Sequence, residues 1–292
     1  MAGLAGIGVD IGGTHIRAAR ISASGDILAW ANAPTPDDPA MVTGEITGLI
    51  TSLLDRHVKT IGVGVPGRVD VKNERVLSGG YVDLAGHSLA ETLHDLLKLP
   101  VFVDNDGNMA LVAEHALGAA RGAETAVLFT IGTGIGGAVF TDGKLLRGRA
   151  AAGQLGHVTV DGRGELCLCG RRGCVETTSS GTALGRHLAT AGLDPGTAVD
   201  ALLAQSAHGD ARASGLLAQW AAPMRAAIDT VVAAFDPDLV VLGGGLGITM
   251  HQALAAFPAE AEWYSCPVLP ALLGDQAGAV GAGLAGLAHA GR

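Results

Sequence analysis

At 292 residues the chain is long enough for two domains, each with a sizeable core. A net charge of −9, with only 16% charged residues, excludes the basic patch that a nucleic-acid-binding surface needs. Aromatics are 3% and glycines number 45, so the core must be built from Ala, Val, Leu and Ile around many tight turns.

The N-terminus, MAGLAGIGVDIGG, has no charged leading region and turns straight into a strand pattern, so no secretory signal is expected. No apolar run approaches the roughly 20 residues that span a bilayer. Residues 4–10 read as a short buried strand running into DIGGT. Strands are expected at 15–21 and 26–31, with Ser24-Gly25 as a hairpin signal between them. Asp38 is placed to cap a helix running to about residue 57, with Val42, Ile46, Leu49, Ile50, Leu53 and Leu54 near helical spacing. IGVGVPG (61–67) reads as a buried strand and turn, 88–97 as a helix, VFVDND (101–106) as a strand and 107–117 as a helix. At residue 126 a second pass begins. AVLFTIGTGIGGAVF repeats the strand, glycine turn, strand pattern of the opening. Helices are expected at 182–191, 198–203 and 211–234, a strand and glycine turn at 238–247, and a small-residue helix over 277–289. Two similar halves of strands followed by helices indicate an α/β protein with two related domains. The boundaries read as 1–118, joined by the C-terminal helix at about 277–292, and 119–276.

Three glycine turns follow strands. They are Asp10, Gly12, Gly13 and Thr14 in DIGGT; Gly132, Thr133, Gly134 and Gly136 in GTGIGG; and Gly243 and Gly244 in GGGLG. Backbone N–H groups in such turns can meet phosphate oxygens without side-chain obstruction. None has the P-loop spacing that ends in GK[ST], and GTGIGG runs into a strand rather than a helix. VDND ends an apolar strand with two acids, Asp104 and Asp106. Phosphoryl transfer needs a carboxylate to take the proton of the attacking hydroxyl, and the residues alone do not choose between the two. An Asn-Asp cap on the following helix is expected as an additional role. Cys167, Cys169 and Cys174, with His157 ten residues before the first, have the ligand types and closeness of a Cys₃His zinc site. The fourth cysteine, Cys266, stands alone. Four cysteines in this pattern are not a disulfide framework, so a reducing, cytoplasmic setting is expected.

Taken together, DIGGT, VDNDGN, GTGIGG, the G-x-x-G-H of residues 153–157 and the C-x-C-G-x-x-G-C-x-E of residues 167–176 resemble the ROK family of bacterial sugar kinases. That family belongs to the actin/hexokinase-like superfamily. The resemblance covers nearly the whole chain and implies two ribonuclease-H-like domains around an interdomain cleft. It implies ATP–Mg²⁺ on DIGGT and GTGIGG, with Asp10 near the Mg²⁺. Asp106 would be the base that activates the primary hydroxyl of a hexose. Gly67, Asn105, Asp106, Gln154, His157 and Glu176 would line the sugar. His157, Cys167, Cys169 and Cys174 would hold a structural Zn²⁺. The implied partners are a small-molecule sugar and a second copy of the chain, since dimers are common in the family, with no nucleic acid and no membrane.

Two departures bear on the substrate. The family usually has Glu where this chain has Gln154, and an amide both donates and accepts where a carboxylate only accepts. Residues 83–87 read DLAGH where glucokinases of the family tend to show Asn-Leu-x-Gly-Trp, and Asp83 with VDNDGN is closer to the N-acetylmannosamine kinase branch. Glucose leads as the expected acceptor. The alternatives are N-acetylmannosamine, kanosamine or another aminosugar, a C7 cyclitol, and a non-catalytic sugar-binding regulator. The regulators of the family carry a helix-turn-helix before DIGGT, which here begins at residue 10.

Overall fold

In the first half of the chain, short β-branched runs form a sheet whose central strands are buried on both faces. The computed structural model describes residues 4–72, 74–80, 82–259 and 265–291. β1 (Ala5–Ile11) is buried throughout except at Asp10. It pairs antiparallel with β2 (His15–Ser22), which sets Asp10 opposite Arg17. β3 (Ile27–Pro34) forms the edge. Asp38 caps α1 (Pro39–Leu53), its side chain accepting from the Ala40 N–H at 2.9 Å. β4 (Val58–Val65) runs parallel to β1, and its near-continuous apolar sequence suits a strand covered on both sides. A small hairpin follows, β5 (Arg68–Asp70) and β6 (Arg75–Ser78), which the sequence pattern did not reveal because its strands are three and four residues long. Then come α2 (Leu89–Leu97), β7 (Val101–Asn105) and α3 (Asp106–Leu117). The sheet order is β3-β2-β1-β4-β7.

The second half repeats this plan. β8 (Ala126–Ile131) pairs antiparallel with β9 (Ile135–Thr141), and β10 (Lys144–Leu145) forms the edge. After the cysteine loop come α4 (Glu176–Ser179), α5 (Gly181–Thr190), α6 (Val199–Ala207) and α7 (Ala211–Phe235). β11 (Leu239–Gly243) lies parallel between β8 and β12 (Val268–Pro270), with α8 (Gly247–Leu254) between them in sequence. The order β10-β9-β8-β11-β12 matches that of the first sheet strand for strand. The weak repeat in sequence is therefore a repeat of topology. GGGLG is not a hairpin turn like the other two, because it opens α8, a helix the sequence reading did not include.

The chain divides into two units. The first is Met1–Arg121, Leu145–Ala152 and Asp275–Arg292; the second is Gly122–Lys144 and Gly153–Gly274. Residues 145–152, which the sequence boundaries put in the second domain, thus group with the first. Two long-range hydrogen bonds tie the segment there. Arg147 Nε donates to Asp104 Oδ2 at 2.7 Å, and Arg68 Nε donates to the Ala150 carbonyl at 3.3 Å.

The C-terminal helix α9 (Ala277–Ala290) packs on β1, β4 and α3 through backbone-to-backbone approaches. A Cβ on Gly8 would collide with the Ala279 carbonyl, one on Gly62 with the Ala282 carbonyl, and one on Gly281 with the Met109 carbonyl. Neither wall is a flexible side chain, so the contact cannot relax locally. Gly62→Ala is therefore expected to destabilise the protein by on the order of 1–3 kcal/mol. Gly44→Ala, in α1 with nothing within 4 Å of the new Cβ, should instead stabilise by about 0.5–1 kcal/mol. Urea midpoints of the two variants check both signs, and equal midpoints would contradict the packing account.

Candidate active site

β7 delivers the acids of VDND to the start of α3, and their surroundings separate them. Asp104 is 1% exposed and already engaged. Its Oδ2 accepts from Arg147 Nε, and its Oδ1 accepts from the Asn105 N–H at 2.7 Å and from Asn108 Nδ2 at 2.9 Å. Asp106 is the first residue of α3 and only partly buried. Its Oδ1 accepts from the Gly107 N–H and from Asn105 Nδ2, both at 2.8 Å. Burial, followed by the negative charge of Asp10, pushes the Asp106 carboxyl up to about 7, against the pull of those bonds. A carboxyl poised near neutrality suits general-base work. Of the two acids, Asp104 carries the ion pair and Asp106 the raised carboxyl.

Asn105 is a holder as much as a contact. Its Nδ2 donates to the Gly67 carbonyl at 2.8 Å as well as to Asp106, and its Oδ1 caps α3 by accepting the Asn108 N–H at 3.2 Å. Gly67 sits at φ +90, and a Cβ there would collide with the Ser78 carbonyl, so only glycine presents its carbonyl to Asn105 in this way.

Asp10 is the penultimate residue of β1 and opens the DIGGT turn. The turn is closed by the Gly12 N–H donating to the His15 carbonyl at 3.1 Å, and Thr35 Oγ1 donates to the Gly12 carbonyl at 2.7 Å. Gly13 and Thr14 stand exposed at the tip. The Asp10 carboxylate lies against Gly278 in the first turn of α9, where any Cβ would strike it. Burial pushes its carboxyl up to about 6, the Arg17 guanidinium works against this, and Asp275 adds to it. Asp10, Gly67, Asn105 and Asp106 all belong to the first unit. A carboxylate raised by burial beside a glycine turn is a fitting donor for a divalent cation that takes its other ligands from phosphates and water.

In the second unit the GTGIGG turn closes with the Gly132 N–H donating to the Gly134 carbonyl at 2.9 Å, and Thr133 is exposed. The start of α5 rests on this turn. The Gly181 N–H donates to the Gly132 carbonyl at 2.8 Å, and Thr182 Oγ1 donates to the Thr133 carbonyl at 2.8 Å. Gly136 packs on Thr130, where a Cβ would lie 2.5 Å from Oγ1. The GGGLG turn lies on the end of the same strand: a Cβ on Gly244 would lie 2.5 Å from the Ile131 carbonyl, and the Leu246 N–H donates to that carbonyl at 2.9 Å. Gly243 is buried at the end of β11.

The segment from Gln154 to Glu176 surrounds β9 near Ile135. Gln154 is partly buried and precedes a single 3₁₀ turn, Leu155–His157. A Cβ on Gly156 would collide with the Ile135 carbonyl, which explains the glycine of the G-H pair. Glu176 Oε2 accepts from the Ile135 N–H at 2.8 Å, which leaves Oε1 to bond elsewhere. The ligand atoms of His157, Cys167, Cys169 and Cys174 all lie within 4.8 Å of one another. Cys167 Sγ is 3.6 Å from His157 Nδ1, and Cys169 Sγ is 3.6 Å from Cys174 Sγ. A tetrahedron with Zn–S bonds of about 2.3 Å has edges of about 3.8 Å, so the four side chains fit that ion. Nδ1 faces the sulfurs, so Nε2 points away from them. Gly173, at φ +69, turns the loop where a Cβ would strike the Asp161 carbonyl.

The sequence model of the ROK family matches residues 6–289. The chain belongs to the ROK family. It is 32% identical to a glucokinase of Halalkalibacterium halodurans, over 95% of this chain and 93% of that one. It is also 32% identical to an N-acetylmannosamine kinase of Yersinia pseudotuberculosis, over 96% and 97%. The crystal structure of a ROK glucokinase from Streptomyces griseus, in complex with glucose and AMPPNP, superposes with a TM-score of 0.83 at 29% identity, covering 97% of this chain and 99% of that one. The fold is that of the actin/hexokinase type. Among the described residues of this ROK protein, no helix is long and apolar enough to cross a membrane.

Two parts of the ROK site escaped the sequence reading. One is the support of GTGIGG by Gly181 and Thr182, about 50 residues on. The other is the ion pair between Arg147 and Asp104. Neither has a local pattern; an arginine in a glycine-rich stretch was the only signal.

The Asp106 carboxyl, raised to about 7 in the fold from an ordinary 3.8, binds its proton more tightly folded than unfolded. Its contribution to stability is therefore present below pH 3.8 and lost as pH rises through 7. Asp106→Asn removes that loss. Its stability advantage over wild type should grow between pH 4 and 8 by on the order of 1–2 kcal/mol, once solvent screening is allowed for. Urea titrations without divalent cation test this, and an advantage that does not change with pH would contradict the burial of charge at Asp106.

Proposed function

We propose that this ROK protein is an ATP-dependent kinase of the primary hydroxyl of a hexose or hexose-like ring, with glucose the leading acceptor. The observation that carries the reading is the state of Asp106: a carboxyl at the mouth of a strand, raised to about 7, beside the bound-up Asp104. The hydroxyl oxygen attacks the γ-phosphorus as the bond from γ-phosphorus to the bridging oxygen breaks. Asp106 takes the hydroxyl proton, and ADP leaves with the bridging oxygen. Asn105 holds Asp106 toward the acceptor. DIGGT and GTGIGG offer backbone N–H groups to the phosphates, and the GGGLG turn supports the nucleotide. Asp10 would hold Mg²⁺, which supplies charge neutralisation at the phosphates.

Gln154, His157 and Glu176 would bind the ring hydroxyls, with Gly67 beside them. His157, Cys167, Cys169 and Cys174 would hold Zn²⁺, whose part is to fix the loop and the tilt of the His157 ring so that Nε2 meets the sugar. The reading also carries the expected domain division, homodimer and cytoplasmic setting. ATP and glucose as substrates are supported by the AMPPNP–glucose complex of the Streptomyces griseus glucokinase. A second acceptor, N-acetylmannosamine, is favoured by Gln154. Its amide can donate to an acyl carbonyl, which a carboxylate cannot do, and relatives bearing that kinase name match over nearly the full chain.

A panel of hexoses, aminosugars and cyclitols with ATP and Mg²⁺, read by ADP release, tests the assignment. Turnover should appear with at least one hexose, and Asp106→Asn should lower kcat by about 10³-fold or more while sugar binding persists. Sugar binding without turnover on any acceptor would instead mark a regulator. Gln154→Glu should move preference toward glucose. Metal analysis should return one zinc per chain, and Cys169→Ser should lose it and raise the sugar KM well before it affects ATP binding. A zinc-free, fully active wild type would remove the metal from the scheme.

A further inference from the structure

The segment at residues 145–152 runs on from β10 yet packs within the first unit. Arg147 anchors it on a carboxylate that is 1% exposed. That carboxylate, Asp104, lies two residues before Asp106. Its other oxygen receives the Asn105 N–H and Asn108 Nδ2, which ties the end of β7 to the first turn of α3. Asn105 then caps α3 on Asn108 and grips Asp106. A continuous series of hydrogen bonds thus runs from the Arg147 guanidinium, through Asp104 and Asn105, to Asp106. Buried ion pairs contribute little net stability compared with apolar or neutral replacements. Stability alone therefore gives no reason for a charged pair here, whereas a charge-assisted bond at 2.7 Å fixes direction well.

We propose that Arg147 is a positioning residue for phosphoryl transfer: it locks Asp104, and through Asn105 it sets the orientation of Asp106. The inference rests on the reading of Asp106 as the base. Misplacing a catalytic group by a fraction of an ångström costs rate rather than substrate affinity.

The test compares four variants for kcat, sugar KM and thermal midpoint. Arg147→Ala leaves a buried carboxylate unpaired, so both midpoint and kcat should fall. Arg147→Ala combined with Asp104→Asn removes that charge, so the midpoint should recover toward wild type. Its kcat should stay about ten- to a hundredfold low, with sugar KM changed by less than about threefold. Arg147→Lys, which keeps the charge, should recover part of the kcat. If the double variant regains wild-type kcat together with its midpoint, Arg147 is only structural and the proposal is overturned. An inactive Asp106→Asn beside a fully active Arg147→Ala also overturns it while sparing the base. A fully active Asp106→Asn overturns the base assignment and this inference together.

Discussion

Two acids, Asp10 near the end of β1 and Asp106 just after β7, lie at the same end of one sheet's parallel strands, and the cost of withdrawing both carboxyls from water is the constraint on which their surroundings depend. In the order β1-β4-β7, Asp10 lies opposite Gly64, and Gly64 opposite Asp104. A Cβ on Gly64 would lie 3.2 Å from Met109 Cγ and 3.4 Å from the Cα of Asp106. Each acid is met by a helix start. Asp106 opens α3, and Asp10 lies against the first turn of α9, where exposed N–H groups favour negative charge. The helices offset only part of the cost, because both carboxyls remain raised. Under the proposed function, a cation beside Asp10 and a proton arriving at Asp106 would relieve the rest.

The position of α9 follows from the same need. A helix can reach Asp10 only if it lies almost in contact with the backbones of β1 and β4. Gly8, Gly62 and Gly281 provide that approach, and Gly278 gives the carboxylate its place. The small-residue composition of residues 277–290, which says little about chemistry by itself, is therefore the packing condition for an acid at the far end of the chain.

What could be read from the sequence was local. Asp38 and Asn105 announce helix starts through their neighbours, and the cysteine loop declares its ligands within eighteen residues of His157. The longer strands of both halves follow their apolar runs to within a few residues, whereas the strands of two to four residues, β5, β6, β10 and β12, have no run long enough to read. What could not be read depends on distance or on weak local signal. Arg147 meets Asp104 across 43 residues, and nothing near either residue foretells it. α8 begins Gly-Ile-Thr with no side-chain cap, so propensity argues against a helix where packing on β11 and β12 imposes one. The choice between Asp104 and Asp106 was open to sequence alternation alone. The structure gives them different surroundings: one carboxylate is taken up by an arginine and two N–H donors, while burial raises the other to about 7.

Under the proposed function, the cysteine loop would let metal and substrate chemistry share one side chain, His157. A histidine that merely hydrogen-bonded a sugar could rotate about two bonds and swap ring nitrogens. With Nδ1 packed 3.6 Å from Cys167 Sγ, the ring has one orientation, and its second nitrogen has one direction. Glu176 is fixed just as firmly, two residues beyond Cys174, through the Ile135 N–H. Gln154 is the exception. It precedes the short turn without a side-chain capping bond, and its amide can present either its oxygen or its nitrogen. Its hydrogen-bonding sense is therefore open, and under the proposed function discrimination between acceptors would fall to it.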